Sequence, residues 1–469
     1  MSDNKKTTRA PVVVILGHVD HGKTTLLDYI RKSNVAQKEV GGITQSIGAS
    51  EVVTKEGKEI TFIDTPGHAA FSNMRSRGAK VSDIAILVVA SDDGVKPQTK
   101  EALEFILQNK IPFIVAATKS DLQTSSIDKV KTDLEKEGVL LEGRGGDIPV
   151  IGVSGKTGEG VENLLEMISL ISELNSISGD RDGKFEGIVI ESGKDKRGHF
   201  ATIIVKSGSL QKGDEVVTDT ESCKVRAIYN YLGKDINQII PGKAGQVIGF
   251  SKIPAVGSTV WHKNSFVAVP VIAKPVSLLK KVQEDEIALF LKAKSAGSLE
   301  AVLANLPQKA LVLASGVGDV SESDVLLAKS LNASIFCFEV RISSSVKKLA
   351  ESESVYIESF DLIYKLFERV EELLEKGKVR IIGKANIIAS FPYENKKVAG
   401  CRIIQGKISV NDKCKLIRND KEIGTVKIVT IRKGKTEVRE TAQGEECGIL
   451  FFPQLEFTIG DVLLSVAEK

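Results

Sequence analysis

Between residues 11 and 175, short apolar runs alternate with longer stretches in which apolar residues recur every three or four positions. Residues 12–17 (VVVILG), 84–90 (IAILVVA) and 113–118 (FIVAAT) are continuous apolar runs of strand length. Residues 58–64 (KEITFID) alternate before a turn, and 148–154 (IPVIGVS) close the series. Residues 99–109 place Ala102, Leu103, Ile106 and Leu107 on one helical face. Strands separated by helices of this size predict a parallel, doubly wound sheet with both faces covered.

The pattern changes after the turn-rich segment 175–184 (NSISGDRDGK). Short strands with glycine turns predict a small antiparallel barrel over 181–265. Residues 276–357 return to strand–helix alternation, which predicts an αβα sandwich. The strands are 288–294, 309–315 and 333–340, and the helices 298–306 and 321–331. Residues 359–376 carry Leu362, Ile363, Leu366, Phe367, Val370, Leu373 and Leu374 at helical spacing, and Gly377 fits a helix end. Residues 378–469 are β-like again and echo the first barrel. SGSLQKGD (207–214) matches GKISVND (406–412), QVIGF (246–250) matches ECGILF (446–451), and AVGSTV (255–260) matches TIGDVL (458–463). Three echoes in one order indicate two related barrels. Residues 1–10 are polar and read as a flexible N-terminus.

Composition narrows the classes. With 469 residues the chain exceeds one ordinary core. Aromatics are 5%, little material for single-strand recognition by stacking. The net charge of +3 permits an RNA-rich partner without requiring one. Five cysteines without a CxxC pair predict reduced thiols in a cytoplasmic chain. No segment reaches 18 apolar residues and no secretory h-region is present, so no membrane partner is expected. Nothing points to DNA, and a monomer is expected.

Residues 16–25, LGHVDHGKTT, end the first strand and begin a helix. His18 and His21 lie close enough to suggest zinc, but such sites need three or four ligands, and the chain has only five histidines. The spacing Gly17 to Gly22-Lys23-Thr24 fits a phosphate cradle, in the strand–helix context that motif requires. Glycines turn backbone N–H groups toward phosphate oxygens, and the helix start at Lys23–Thr25 adds its dipole. Lys23 neutralises the outer phosphates, and the Thr24 hydroxyl can bind Mg²⁺.

Four later segments favour GTP over ATP. In DTPGH (64–68), Asp64 can hold Mg²⁺ through water and the Gly67 amide can reach the γ-phosphate. In GGITQS (41–46), Thr44 offers a second hydroxyl on a loop that can order with a triphosphate. In ATKSD (117–121), Asp121 can accept two hydrogen bonds from a guanine edge while Lys119 lies along the base. In VSGK (153–156), an amide of Ser154, Gly155 or Lys156 can meet the guanine carbonyl. GVGD (316–319) lacks a third glycine and is no dinucleotide fingerprint; Ser321 with Asp324 reads as a helix cap.

GHVDHGKTTLLD, GGITQSIGA, DTPGHAAFSNMRSRGA and ILVVASDDGVKPQTKEAL resemble bacterial translation initiation factor two, a family of translational GTPases. The likeness runs from about residue 10 to the end. It implies a P-loop GTPase domain, a β-barrel, an αβα sandwich, a connecting helix and a second β-barrel, the order drawn from pattern alone. The family implies that residues 17–25, Asp64, Gly67, His68, Thr118, Lys119, Asp121 and 154–156 hold GTP or GDP. Within the loop these are Gly17, His18, Val19, Asp20, His21, Gly22, Lys23, Thr24 and Thr25. Thr24, Thr44 and Asp64 would hold Mg²⁺, and Asp20 would sit beside a monovalent cation. His68 would orient the attacking water behind an apolar gate of Val19 and Ile43. The last barrel would hold formyl-methionyl initiator tRNA through Cys401, Arg432, Lys433, Glu446, Cys447 and Gly448, the two cysteines lining an apolar slot. Small buried core thiols are the competing reading of those cysteines.

One departure stands out: Thr118 occupies a position where the family usually has Asn, which braces the cradle and contacts the base. The family often has a long N-terminal extension, whereas the first strand here starts by residue 12, which implies a minimal or trimmed form. The expected activity is ribosome-activated GTP hydrolysis. The factor would bind initiator tRNA on the small ribosomal subunit and promote joining of both subunits. Two alternatives remain open: another translational GTPase carrying a different tRNA, and a nucleotide-gated binding protein with little hydrolysis. An ATPase is disfavoured by Asp121 and Ser154.

Overall fold

The computed structural model describes residues 7–33, 35, 39, 43–265, 286–376, 380–393, 396–418, 421–434 and 436–467. It divides into two compact units: residues 1–282 with 287–370, and 283–286 with 371–469. Gly41, Gly42, Gly377 and the first ten residues of the expected sandwich lie outside the described residues.

The first unit opens with a six-stranded sheet. Its strands are β1 Val12–Gly17, β2 Gly48–Val53, β3 Glu59–Asp64, β4 Ile84–Ala90, β5 Phe113–Thr118 and β6 Val150–Gly152. Their order is β2-β3-β1-β4-β5-β6, and all are parallel except β2. Every residue of β1, β4 and β5 is buried, because helices cover both faces. The covering helices are α1 Lys23–Arg31, α2 Ser72–Val81, α3 Pro97–Gln108, α4 Ile127–Lys136 and α5 Val161–Leu174. The edge strand β2 escapes the sequence pattern: GASEVV has no apolar run, and most of it is only half buried.

The first barrel uses β7 Glu186–Asp195, β8 Gly198–Ser207, β9 Glu215–Val217, β10 Ser222–Tyr229, β11 Ala244–Phe250 and β12 Thr259–His262. The pairing runs β7-β8-β11-β10-β9-β12 and returns to β7, a closed ring. A parallel four-stranded sheet follows. Its strands are β13 Ile287–Ala293, β14 Ala310–Val317, β15 Ser334–Phe338 and β16 Ile357–Phe360, in the order β14-β13-β15-β16. Helices α6 Ala296–Asn305, α7 Glu322–Leu331 and α8 Ser344–Ser352 connect them, and α9 is Ile363–Lys376. Ser321 and Asp324 form the expected capping box on α7.

The helix expected from residue 359 therefore starts later, and the sheet reaches Phe360. Residues 357–360 pair with 335–338, burying Phe360, and the Ser359 hydroxyl donates to the Val340 carbonyl at 2.5 Å. The helix itself begins about one turn after residue 359, at Ile363. Helix α8 was not foreseen, since SSVKKLAES buries only Val346 and Ala350.

The second unit is built on β17 Arg380–Tyr393, β18 Lys396–Ser409, β19 Lys413–Arg418, β20 Lys421–Lys433, β21 Glu446–Phe452 and β22 Val462–Ala467. The ring β17-β18-β21-β20-β19-β22 closes on itself. Strand for strand, this is the order of the first barrel. All three sequence echoes fall at equivalent places. Gln211 N donates to Asp214 Oδ2 at 2.7 Å, and Ser409 N to Asp412 Oδ2 at 2.9 Å. Gly213 and Asn411 take left-handed φ of 94° and 75° in the same turn.

All five cysteines are buried and unpaired. Burial pushes the thiols of Cys223, Cys337 and Cys414 up to about 12, and raises those of Cys401 and Cys447.

Candidate active site

The first strand delivers the loop. Gly17 has φ 151°, and a Cβ there would stand 2.4 Å from the Val88 carbonyl oxygen. Gly22 caps α1 at φ 82°, a conformation suited to glycine. Lys23 is buried, and its ammonium donates to the carbonyls of Gly17 (3.0 Å) and His18 (2.6 Å). Burial lowers Lys23 to about 8, although Asp64 opposes that shift. Such a cation favours an anion in the loop it closes.

A cavity of about 210 Å³ lies over this loop, lined by Val19, Asp20, Lys23, Thr24, Ile43, Thr44, Gly67 and His68 among others. The Thr24 and Thr44 hydroxyls stand 2.7 Å apart. Asp64 is buried, its Oδ1 has no hydrogen-bond partner among the described residues, and burial raises its pKa. Arg31 approaches the other oxygen at 4.0 Å. Two converging hydroxyls and a buried carboxylate oxygen suit a hard divalent cation. A Cβ at Gly67 would sit 2.5 Å from Lys23 Nζ, so only glycine brings this turn so near the loop.

His68 heads the next turn. Its Nδ1 accepts from Ala70 N at 3.2 Å, and its ring meets Phe71 edge-on. Burial, then Arg75, holds the imidazole below its usual pKa. Arg75, wholly buried, donates to the carbonyls of Pro66, Gly67 and His68 and pairs with Glu101 at 2.7 Å. This arginine fixes the backbone that carries His68. Gln98 likewise accepts from Val19 N at 2.9 Å. Sequence reasoning gave neither a role, although Arg75 and Gln98 both lie in stretches that carry the family likeness.

His21 is buried with Nδ1 accepting from Ala90 N, and burial drives it to about 4. Among the described residues no cluster of three His, Cys, Asp or Glu stands close enough to hold a metal.

At the far strand ends, Thr118 is buried and donates to the His21 carbonyl at 2.6 Å. Lys119 takes φ 59° and pairs with Asp92 at 3.3 Å. Asp121 is exposed, and its Oδ1 accepts from the Ser154 hydroxyl at 2.8 Å. Ser154 Oγ in turn accepts from the amides of Lys156 and Thr157. A Cβ at Gly155 would stand 2.8 Å from Leu26 N, so this loop packs directly on α1.

The last barrel brings its expected residues together on three neighbouring strands. Cys401 faces Cys447, Gly400 faces Gly448 across from Arg432, and Arg402 pairs with Glu446 at 2.5 Å. Lys433 pairs with Glu445 at 2.5 Å. Cys401 is wholly buried and Cys447 nearly so, with both thiols in the barrel core; the outer face carries Gly448, Arg432 and Glu446.

A glycine-bent loop closed by a buried lysine, two facing threonine hydroxyls and a buried aspartate at the strand ends of a doubly wound sheet, followed by a barrel, mark a translational GTPase that binds GTP and GDP. Family models agree in that order: the elongation factor Tu GTP-binding domain matches residues 8–173, elongation factor G domain 2 matches 184–263, and translation-initiation factor 2 matches 273–371. Translation initiation factor IF-2 of Thermus thermophilus is 40% identical over 97% of this chain and 86% of its own. That of Deinococcus radiodurans is 40% identical over 94% and 80%. A crystal structure of GDP-bound aIF5B from Aeropyrum pernix is 26% identical over 98% of this chain and 92% of its own, with TM-score 0.46. The chain belongs to the translation initiation factor IF-2 family and is a translation-initiation GTPase.

Among the described residues no helix is long and apolar enough to cross a membrane.

Proposed function

We propose that this GTPase is activated by the ribosome. It binds formyl-methionyl initiator tRNA through its last barrel, promotes joining of the two subunits, and leaves after hydrolysis. The observation that carries the reading is the meeting of Thr24, Thr44, Lys23, Gly67 and His68 around one cavity. Thr24 and Thr44 would hold Mg²⁺ with Asp64 acting through water; the ion would neutralise charge on the transferring phosphoryl group. Thr44, 2.7 Å from Thr24, would tie its loop to the ion of a bound triphosphate. Lys119 and Asp121 read the guanine, Asp121 held in place by Ser154. Asp20, on the phosphate loop, would sit beside a monovalent cation next to the phosphates.

His68 positions water. Its neutral ring, with Nδ1 held by the Ala70 amide, leaves Nε2 as the atom that meets the nucleophile. Val19 and Ile43 share the cavity wall and would form the apolar gate before it. Hydrolysis of GTP and ATP with and without purified ribosomal subunits tests this. Stimulated turnover should be confined to GTP. His68→Ala should lower stimulated turnover by about a hundredfold or more while nucleotide affinity stays unchanged. Persistent stimulation in that variant removes the role.

A further inference from the structure

The phosphate loop and the turn that carries His68 meet at Val19 and Gly67. A Cβ on Gly67 would stand 3.1 Å from both Val19 N and Val19 Cα. Two loops held this close, from the ends of β1 and β3, need a common support. Helix α3 supplies it. Its Gln98 and Glu101 are three residues apart and therefore project side by side. The helix itself is fixed, because Thr99, Ala102, Leu103 and Ile106 are buried.

Each of the two residues reaches one loop. Gln98 Oε1 accepts from Val19 N at 2.9 Å, which turns that amide toward α3. Glu101 takes Arg75 Nη2 between its two oxygens, at 2.7 and 3.0 Å, and also accepts from the Ser72 hydroxyl. Arg75 Nη1 then donates to three successive carbonyls: Pro66 at 3.0 Å, Gly67 at 3.3 Å and His68 at 2.6 Å. One donor shared by three carbonyls fixes the path of the chain through all three residues. Gln98, Glu101 and Arg75 do not line the cavity, so they act on it through Val19 and His68.

We infer that Gln98 and the Glu101–Arg75 pair are positioning residues for GTP hydrolysis: from one helix they set the spacing between Val19 and His68. The inference rests on the reading of His68 as the residue that orients the attacking water. Misplacing such a group by about 1 Å can slow a reaction about a hundredfold without touching the substrate's own contacts. Lys23, Thr24 and Asp121, which that reading assigns to the nucleotide, are hydrogen-bonded to other partners. The clamp on α3 therefore governs turnover and leaves nucleotide affinity alone.

The test measures GTP turnover of the intact chain with purified ribosomal subunits at saturating nucleotide, alongside GDP affinity. Gln98→Leu and, separately, Glu101→Gln should each lower stimulated kcat about tenfold or more while GDP affinity stays within about twofold. Gln98→Glu keeps the acceptor for Val19 N and should retain turnover, which separates the lost hydrogen bond from a general loosening of α3. In a His68→Ala background, Gln98→Leu and Glu101→Gln should lower turnover by less than about twofold further, because their effect passes through that side chain. Four results overturn the inference and leave the reading of His68 intact. They are a stimulated kcat within about twofold of the natural sequence in both single variants, Gln98→Glu as slow as Gln98→Leu, equal losses with and without His68, and a fall in GDP affinity that matches the fall in turnover. Undiminished stimulation in His68→Ala alone overturns that reading and the inference with it.

Discussion

The Thr118 hydroxyl donates 2.6 Å to the His21 carbonyl and thereby ties the end of the fifth strand to the phosphate loop. That is the bracing half of an asparagine's work; the base-contacting half has no counterpart on a threonine. Thr118→Ala should weaken GDP and GTP binding about fivefold, the usual worth of one buried hydrogen bond, while Thr118→Ser preserves it. Fluorescent-nucleotide titration reads this, and equal affinities would show the brace to be idle. His21 itself is a pH liability. Its folded form resists protonation down to about 4, whereas an unfolded histidine titrates near 6.5. In that window the unfolded chain binds the extra proton. Stability is therefore complete above pH 6.5 and falls on acidification, by roughly 3 kcal/mol at the lower end. Urea unfolding at neutral and mildly acidic pH should show the fall, and His21→Gln should flatten it.

At the scale of elements, the nucleotide loop grips a helix. Beside Thr44, the buried Gln45 donates through Nε2 to the Asp361 carbonyl (2.6 Å) and accepts at Oε1 from the Ile363 amide (3.2 Å). One side chain thus satisfies one of the four amide donors left over at the start of α9, together with the carbonyl just ahead of it. Gln45→Ala should speed hydrogen exchange of the Ile363 amide about fivefold or more, and Gln45→Glu should keep the acceptor while losing the donor. Unchanged exchange would mean the contact carries no load. Legibility in the sequence tracked burial. Residues 84–90 and 113–118 were read to the residue because both faces are covered, leaving no polar position inside the run. Gly48–Val53 and the 357–360 strand were lost because half-buried edges carry mixed side chains. The loop motifs announced the nucleotide site, since backbone geometry dictates their glycines and hydroxyls. Arg75, Gln98 and Gln45 lie inside the stretches that carry the family likeness, yet nothing local announces their roles. Their partners are distant carbonyls, amides and a carboxylate that only the fold assembles.

The whole molecule separates into two compact units whose boundary falls at residue 370, within α9. The second unit closes its own ring of strands around Ile387, Ile403, Leu416, Ile428, Ile449, Phe451 and other buried residues. Calorimetry of the full chain should resolve at least two transitions, and added GDP with Mg²⁺ should raise only the one belonging to the nucleotide domain. A single transition moving as one would contradict the division. The interior placement of all five thiols, each less acidic than a free cysteine, has a practical consequence. Sulfhydryl reagents should leave the native protein unlabelled. A cysteine introduced at one chosen surface site could then carry a dye or spin probe without stripping away the natural ones.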